Sequence, residues 1–197
     1  MKTPVLYKIG RIVLGPIFKF YYNPKIIDKD KIPKDGSLII AGNHKHLYDQ
    51  CLTIVACKRY IKYMAKKEYF DSRKTRWFFK AVGCIPVDRK NKDENAKKLA
   101  IDHLNNGGII GIFPEGTRNK TDKFLLDFKF GAVSMASKTN SYIVPFGITG
   151  DYKFRSKNLI IRYGDAFKVD DMTLEEANTK LYKEVEKLMK LNLKEHK

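Results

Sequence analysis

Short apolar runs recur along the chain, and each is bounded by glycine, proline, asparagine or aspartate. SLIIAG, GIIGIF and YIVPFGI are rich in β-branched and other apolar residues, which is typical of buried strands. Between the runs, the periodicity is that of helices. The pattern predicts strands at 37–42, 60–65, 84–87, 108–113, 142–148 and 159–164, and helices at about 48–59, 72–81, 93–105 and 129–138. This alternation predicts a single α/β domain with a mostly buried mixed sheet covered by helices.

A longer amphipathic pattern closes the chain from residue 174 onward. Its apolar positions recur at steps of three and four among glutamates and lysines: Leu174, Ala177, Leu181, Val185, Leu188 and Met189. The preceding DDMT supplies acidic and hydroxyl groups suited to a helix start. The pattern predicts a helix whose apolar stripe packs on the core.

The beginning of the chain combines apolar residues with regularly placed cations. Residues 5–22, VLYKIGRIVLGPIFKFYY, are interrupted by Lys8, Arg11 and Lys19, and we expect Pro16 to break the segment. A membrane-spanning helix needs about 20 mostly apolar residues, and a signal peptide needs a compact apolar run before a small-residue cleavage site. The segment matches neither. We expect one or two short helices that lie in the membrane interface; the alternative is a helix that covers the domain's own core.

Length and charge narrow the class of protein. The 197 residues are enough for one substantial core, and 43% hydrophobic with 31% charged residues is a globular balance. The net charge of +17 favours polyanions or an anionic lipid surface, and charge alone does not choose between them. Three cysteines without C-x-x-C spacing argue against a disulfide framework or a zinc knuckle.

NHKHLYDQ, residues 43–50, brings histidines and an aspartate close together in a strand, turn and helix pattern. His44 follows the carboxyl end of the strand, the edge where open α/β sheets carry ligands. Asp49 can reach it if His44 lies in the turn and Asp49 in the first turn of the helix, leaving one ring nitrogen free as a general base. One alternative is a metal site, because H-x-H-x-x-D resembles part of a dinuclear metallohydrolase pattern. The other is a pair of solvated histidines, which we expect for His46.

A second polar cluster follows the strand that ends at Phe113. The residues that come directly after it are Pro114, Glu115, Gly116, Thr117 and Arg118. Glycine lets a backbone approach an oxyanion closely, and arginine offers a planar fork for phosphate. The Walker pattern G-x-x-x-x-G-K-[ST] does not occur. An ordinary β-turn with a surface ion pair is the alternative.

Together these residues resemble the glycerolipid acyltransferase family, of the lysophosphatidic acid acyltransferase type. NHKHLYD matches its N-H-x-x-x-x-D signature and FPEGTRN its F-P-E-G-T-R-S signature, with Asn119 in place of serine. KEYF, which begins at Lys67, and the later GCIPVDR resemble a third block, although Pro86 and Val87 replace phenylalanine and isoleucine. YIVPFGI resembles the fourth block, with its proline at Pro145. The four blocks occur in the family's order.

The resemblance implies a role for each of these positions. His44 would be the general base and Asp49 its orienting partner, while Pro145 would shape the acyl side. The residues implied to bind the acceptor's phosphate are Lys67, Arg89, Glu115, Gly116, Thr117 and Arg118. Neither a metal ion nor another cofactor is implied.

The implied reaction moves a fatty acyl group from acyl-CoA or acyl carrier protein to the sn-2 hydroxyl of 1-acylglycerol-3-phosphate, making phosphatidic acid in phospholipid biosynthesis. Another lysolipid or glycerol-3-phosphate is the alternative acceptor. The apolar and cationic residues at the start of the chain predict a membrane-interface segment at 1–24, followed by a catalytic domain at 25–197. We expect the protein at the cytoplasmic face of the cell membrane, peripheral or monotopic, on an anionic surface that its positive charge favours.

Two further alternatives concern the chemistry and the partner. No G-x-S-x-G elbow occurs, which favours direct attack without an acyl-enzyme, whereas Cys84 is the alternative acyl carrier. A pI near 9.7 also suggests a nucleic-acid-binding protein. The sequence has no RNP block, zinc finger or basic region with heptads, so we expect no nucleic-acid partner.

Overall fold

A seven-stranded sheet forms the centre of the protein, in a computed structural model that describes residues 3–88 and 93–195. The strands are β1 (Lys25–Ile27), β2 (Leu38–Gly42), β3 (Ile61–Lys66), β4 (Ile85–Val87), β5 (Ile109–Ile112), β6 (Tyr142–Thr149) and β7 (Ile160–Tyr163). The helices are α1 (Val5–Ile9), α2 (Gly15–Tyr22), α3 (Asp49–Ala56), α4 (Glu68–Asp71), α5 (Arg73–Ala81), α6 (Glu94–Asn105), α7 (Gly131–Thr139) and α8 (Leu174–Lys194). The predicted single α/β domain with a mixed sheet is confirmed.

The order of the strands brings five carboxyl ends to one edge. The order is β1-β7-β6-β2-β5-β3-β4, and only the pairing of β6 with β7 is antiparallel. From β2 the chain passes to α3 on one face, and from β5 it passes to α7 on the other face. Neighbouring strands whose connections leave to opposite faces form the crevice in which open α/β sheets bind ligands.

Two apolar layers cover the sheet, which explains why its strands read as continuous apolar runs. Ile39 and Ala41 of β2 pack with α6, α7 and α8, whereas Leu38 and Ile40 pack with α3 and α2. Successive side chains of a strand point to opposite faces, so β2 is buried on both. The core therefore holds the strand ends, and the loops that follow them, in fixed positions.

All six predicted strands and the predicted helices form, with shifts of a few residues at their ends. The pattern missed β1, a three-residue strand that pairs with β7, and α4, a single turn, because both are too short to show periodicity. At the predicted start of α8, the side chain of Thr173 accepts from the Glu176 amide and the Glu176 carboxylate accepts from the Thr173 amide. This reciprocal cap fixes where the helix begins.

The segment before the sheet is helical from Val5 to Tyr22, with a π-helical turn at Gly10–Leu14 between α1 and α2. The expected break at Pro16 is wrong, because Pro16 lies in the first turn of α2, where proline's missing N–H is tolerated. Phe18 and Tyr22 pack against the core, while most other apolar side chains of the segment are exposed. Among residues 3–88 and 93–195, no helix combines the length and apolar composition that crossing a bilayer requires.

Candidate active site

His44 and Asp49 meet at the carboxyl edge of the sheet. His44 lies in the turn after β2, and Asp49 is the first residue of α3, fully buried. The Nδ1–H of His44 donates to Asp49 Oδ2 at 2.8 Å, and the amides of Lys45 and His46 donate to the same oxygen at 2.7 Å each. With Nδ1 bonded to the carboxylate, the lone pair of the imidazole lies on Nε2.

The loop after β5 holds the His44 ring and backbone. The ring stacks on Phe113 with 4.0 Å between ring centroids, in nearly parallel planes. The His44 amide donates to Glu115 Oε1 at 2.6 Å, and the Asn119 amide donates to the His44 carbonyl at 2.7 Å. The catalytic candidates that follow β2 and the loop after β5 are therefore one hydrogen-bonded unit.

Glu115 is buried beneath this loop, and both carboxylate oxygens accept from backbone amides. Oε1 accepts from His44, and Oε2 accepts from the Leu126 amide at 3.0 Å. Burial raises the pKa of Glu115, and the two amide bonds oppose that rise. A carboxylate so engaged is placed to position His44; it would repel a phosphate rather than bind one. This geometry departs from the phosphate-binding role that the resemblance implied for Glu115.

The other residues of the loop offer groups suited to an anion. Gly116 has φ +70°, a conformation that favours glycine, and its amide donates to the Phe113 carbonyl at 2.9 Å. Thr117 is exposed, and within the described residues the Arg118 guanidinium has no hydrogen-bond or ion-pair partner. Sequence reasoning missed Lys129, whose side chain lies directly over Gly116 and adds an ammonium group to the loop.

Lys67 follows β3 at the same edge. Its amide donates to the Val87 carbonyl at 3.0 Å, and its side chain is exposed. Because β5 separates β3 from β2, Lys67 starts about 10 Å from the His44 turn, within reach of a substrate that spans the edge. Arg89 lies outside the described residues.

Pro145 is buried in β6 and is not beside the imidazole. Its neighbours in the strand, Val144 and Phe146, point to one face of the sheet. The ring of Pro145 therefore lies on the other face, against Gly164. Phe113, on which His44 stacks, packs with the Val144 and Phe146 layer. The structure therefore does not bring Pro145 together with the other candidates.

Two further residues of the site could not be identified from the local pattern. The side chain of Asn43 bonds both the carbonyl and the amide of Ile148, at 2.9 and 2.7 Å, which ties β2 to β6. The hydroxyl of Tyr152, which follows β6, donates to Asp49 Oδ1 at 2.7 Å. The position of Asn43 directly before His44 was the available signal for it, whereas nothing near Tyr152 indicated its role.

The alternatives of a metal site, an acyl-cysteine and a solvated His46 can be compared with the geometry. In the part of the chain that the structure describes, no three His, Cys, Asp or Glu residues are grouped to hold a metal ion. Burial raises the pKa of Cys84 to about 11, so its thiol keeps the proton and is a poor nucleophile at neutral pH. His46 is half-buried, with its ring stacked on Tyr152 at 4.4 Å, which corrects the expectation of a solvated side chain.

Known proteins share this arrangement of sequence and fold. A family model described as Acyltransferase matches residues 23–149. The chain is 34% identical over 146 residues to a 1-acyl-sn-glycerol-3-phosphate acyltransferase of Bacillus subtilis, covering 74% of this chain and 72% of that protein. This chain belongs to the glycerolipid acyltransferase family. The resemblance noted from the four sequence blocks is thus confirmed.

Two more members extend the comparison. A Streptococcus pneumoniae protein of the same name is 27% identical over 84% of this chain, which spans 63% of its length. The crystal structure of the Thermotoga maritima 1-acyl-sn-glycerophosphate (LPA) acyltransferase, PlsC, superimposes with a TM-score of 0.75 at 22% identity, covering 94% of this chain and 77% of that one. That similarity shows that this acyltransferase family member has the same fold as the Thermotoga maritima protein.

Proposed function

We propose that this acyltransferase transfers a fatty acyl group from a thioester donor to the sn-2 hydroxyl of 1-acylglycerol-3-phosphate, with phosphatidic acid as the product for phospholipid biosynthesis. Relatives that carry this activity in their names support the choice of acceptor. The observation that carries the mechanism is the His44–Asp49 pair, with its buried carboxylate, hydrogen-bonded to a loop whose Arg118 guanidinium has no partner among residues 3–88 and 93–195. The donor is acyl-CoA or acyl carrier protein.

His44 acts as the general base. Its Nε2 takes the proton of the sn-2 hydroxyl while the hydroxyl oxygen forms a bond to the thioester carbonyl carbon. The C–S bond then breaks, and the imidazolium returns the proton to the departing thiolate. Asp49 holds the ring orientation through Nδ1 and stabilises the imidazolium. A positioned base of this kind contributes about 10²–10⁴ in rate.

The acceptor is held by its phosphate through cations at the edge of the sheet. Arg118 supplies a planar fork, Lys129 supplies an ammonium group over Gly116, and Lys67 supplies another from the end of β3. Gly116 and Thr117 complete the pocket with a small backbone profile and a hydroxyl group. Each charge-assisted contact contributes roughly 1.5–3 kcal/mol, and this binding places the free hydroxyl beside the imidazole.

Steady-state kinetics on purified protein test the assignment. A panel of acceptors, namely 1-acylglycerol-3-phosphate, glycerol-3-phosphate and a zwitterionic lysolipid, is combined with acyl-CoA and with acyl carrier protein donors. His44→Ala and Asp49→Asn should lower kcat at least about 100-fold with the preferred pair. Wild-type turnover in His44→Ala would refute the general-base role.

A second comparison tests the phosphate site. Arg118→Ala should raise the KM of the acceptor about tenfold or more, because one charge-assisted contact is lost. Lys183→Ala removes an exposed cation of α8, a helix that carries none of the predicted phosphate-binding residues, and should leave both constants unchanged. Equal effects of the two variants would mean that only bulk charge matters.

The exposed face of the first helices is suited to the surface of an anionic membrane. Val5 and Ile12 are 71% and 72% exposed, and the neighbouring residues Ile9, Val13, Leu14, Ile17 and Phe20 are also exposed. Helix α5, which packs against α1, adds exposed Trp77 and Phe78 among four cations. Apolar side chains with cations around them are typical of interfacial helices. We therefore place residues 1–24 in the interface of the cytoplasmic leaflet, where the thioester donors are found.

Vesicle sedimentation tests this placement. Ile12→Glu should weaken binding to vesicles that contain anionic lipid about 10- to 100-fold, because one apolar side chain no longer enters the interface. Leu99→Glu, which charges an apolar side chain of α6 that is 50% exposed, should bind like the wild type. Binding to DNA or RNA that persists at moderate salt, with no vesicle binding, would support the nucleic-acid alternative instead.

A further inference from the structure

The second oxygen of Asp49 has a partner that the proposed mechanism has not yet used. Three donors share Oδ2, whereas Oδ1 accepts from the hydroxyl of Tyr152 at 2.7 Å. Burial, followed by the nearby Asp49 charge, raises the pKa of Tyr152 far above its ordinary value. The hydroxyl therefore keeps its proton and acts as a donor throughout the range in which enzymes work.

The ring of Tyr152 is fixed from both sides. It stacks on His46 with 4.4 Å between ring centroids. It meets Tyr22 and Phe18 of α2 edge-on, at 5.6 and 6.4 Å. These contacts hold the hydroxyl at Asp49, and they come partly from the helix that we place at the membrane.

The Asp49 carboxylate must be held in one orientation if Oδ2 is to accept the hydrogen bond from His44 Nδ1. A carboxylate can rotate about the bond that carries it, and each oxygen can take either set of partners. Removal of the Tyr152 hydroxyl would leave Oδ1 buried without this donor, so the carboxylate would turn towards other donors and draw Oδ2 away from Nδ1. The imidazole would then lose the orientation in which Nε2 faces the acceptor hydroxyl.

We propose that Tyr152 is a positioning residue for acyl transfer, whose hydroxyl fixes Asp49 in the orientation that His44 uses and whose ring links that orientation to α2. This rests on the proposed general-base role of His44. Tyr152 contacts neither donor nor acceptor in this scheme. Its effect should therefore appear in kcat and pass entirely through Asp49.

A double-mutant cycle with full-length protein and vesicle-presented acceptor tests the proposal. Tyr152→Phe keeps the ring and removes the hydroxyl, so kcat should fall about tenfold while the KM of acceptor and donor stay within about twofold. Asp49→Asn should lower kcat further, and Tyr152→Phe added to Asp49→Asn should lower it no more. Tyr142→Phe removes an exposed hydroxyl at the amino end of β6 and should have no effect.

The outcomes separate this inference from the proposed function. Wild-type kcat in Tyr152→Phe, or losses that multiply in the double variant, would overturn the positioning role. Wild-type kcat in both His44→Ala and Asp49→Asn would instead overturn the proposed mechanism itself. Thermal melting of each variant identifies a loss of fold, and Tyr152→Leu, which also removes the ring contacts with α2, should lower kcat more than Tyr152→Phe.

Discussion

Glu115→Gln distinguishes a residue that positions the catalytic histidine from one that binds the acceptor. The change replaces one carboxylate oxygen with an NH₂ group, which cannot accept from a backbone amide. The wild-type side chain uses both oxygens, one for the His44 amide at 2.6 Å and one for the Leu126 amide at 3.0 Å. Either the His44 turn or the part of the β5–α7 loop around Leu126 must therefore lose its partner.

The expected effects of Glu115→Gln on stability and on kcat follow from the same two hydrogen bonds. A hydrogen bond to a charged group contributes roughly 1.5–3 kcal/mol. Burial raises the pKa of Glu115, which means that neutralising the side chain recovers part of that loss. We expect a net decrease of about 1 kcal/mol in the free energy of unfolding. Because misplacement of a catalytic group by about 1 Å can lower a rate about 100-fold, kcat should fall about 10- to 100-fold.

The assay measures kcat and the KM of the acceptor, with denaturant unfolding alongside. Glu176→Gln is the matched control, because Glu176 also accepts from a backbone amide but lies in α8, away from the site. We expect Glu115→Gln to lower kcat with the acceptor KM unchanged, and Glu176→Gln to leave both constants unchanged. A raised acceptor KM with wild-type kcat would show that Glu115 acts on the acceptor, as the family resemblance implied.

Two predictions concern stability. Thr173→Ala removes the cap of α8 and should lower the free energy of unfolding by about 1 kcal/mol, with kcat retained; an unchanged denaturation midpoint would contradict the capping role. Burial lowers the pKa of His103 to about 4, from a value near 6.5 in the unfolded chain. The unfolded chain therefore binds the proton first, and stability should be lost as pH falls from about 6.5 to 4, by up to about 3 kcal/mol. In His103→Leu, the urea midpoint of unfolding should depend less on pH between about 6.5 and 4. If the midpoint still falls as steeply with pH as in the wild type, another group causes the loss of stability in acid.

The fold could be read from the sequence wherever the local pattern was long enough. A strand buried on both faces must be apolar throughout, so SLIIAG identified β2 without knowledge of its neighbours. The three-residue β1 and the single-turn α4 were missed because such short elements show no period. Pro16 was misread because proline in the first turn of a helix and proline as a helix breaker look the same in sequence.

The predictions about the site also succeeded where they depended on residues close together in the chain and failed where they depended on distant ones. The approach of Asp49 to His44 was predictable, because a strand, a turn and a helix start leave few arrangements for residues five positions apart. The partners from other strands were not. Glu115 and Tyr152 lie 71 and 103 positions from the residues they bond. Pro145 was assigned beside the acyl group, yet the register of β6 places it on the opposite face from Phe113.

The sequence alone determined the longer strands and helices, the placement of His44 and Asp49 at a strand end, and membership in the acyltransferase family. These depend on residues close together in the chain, whose spacing limits what the backbone can do. Tertiary structure decided which strands lie side by side, and hence that Glu115 holds the His44 amide and Tyr152 holds Asp49. The reason is that hydrophobic periodicity records only whether a side chain is buried, and not which distant group it meets there.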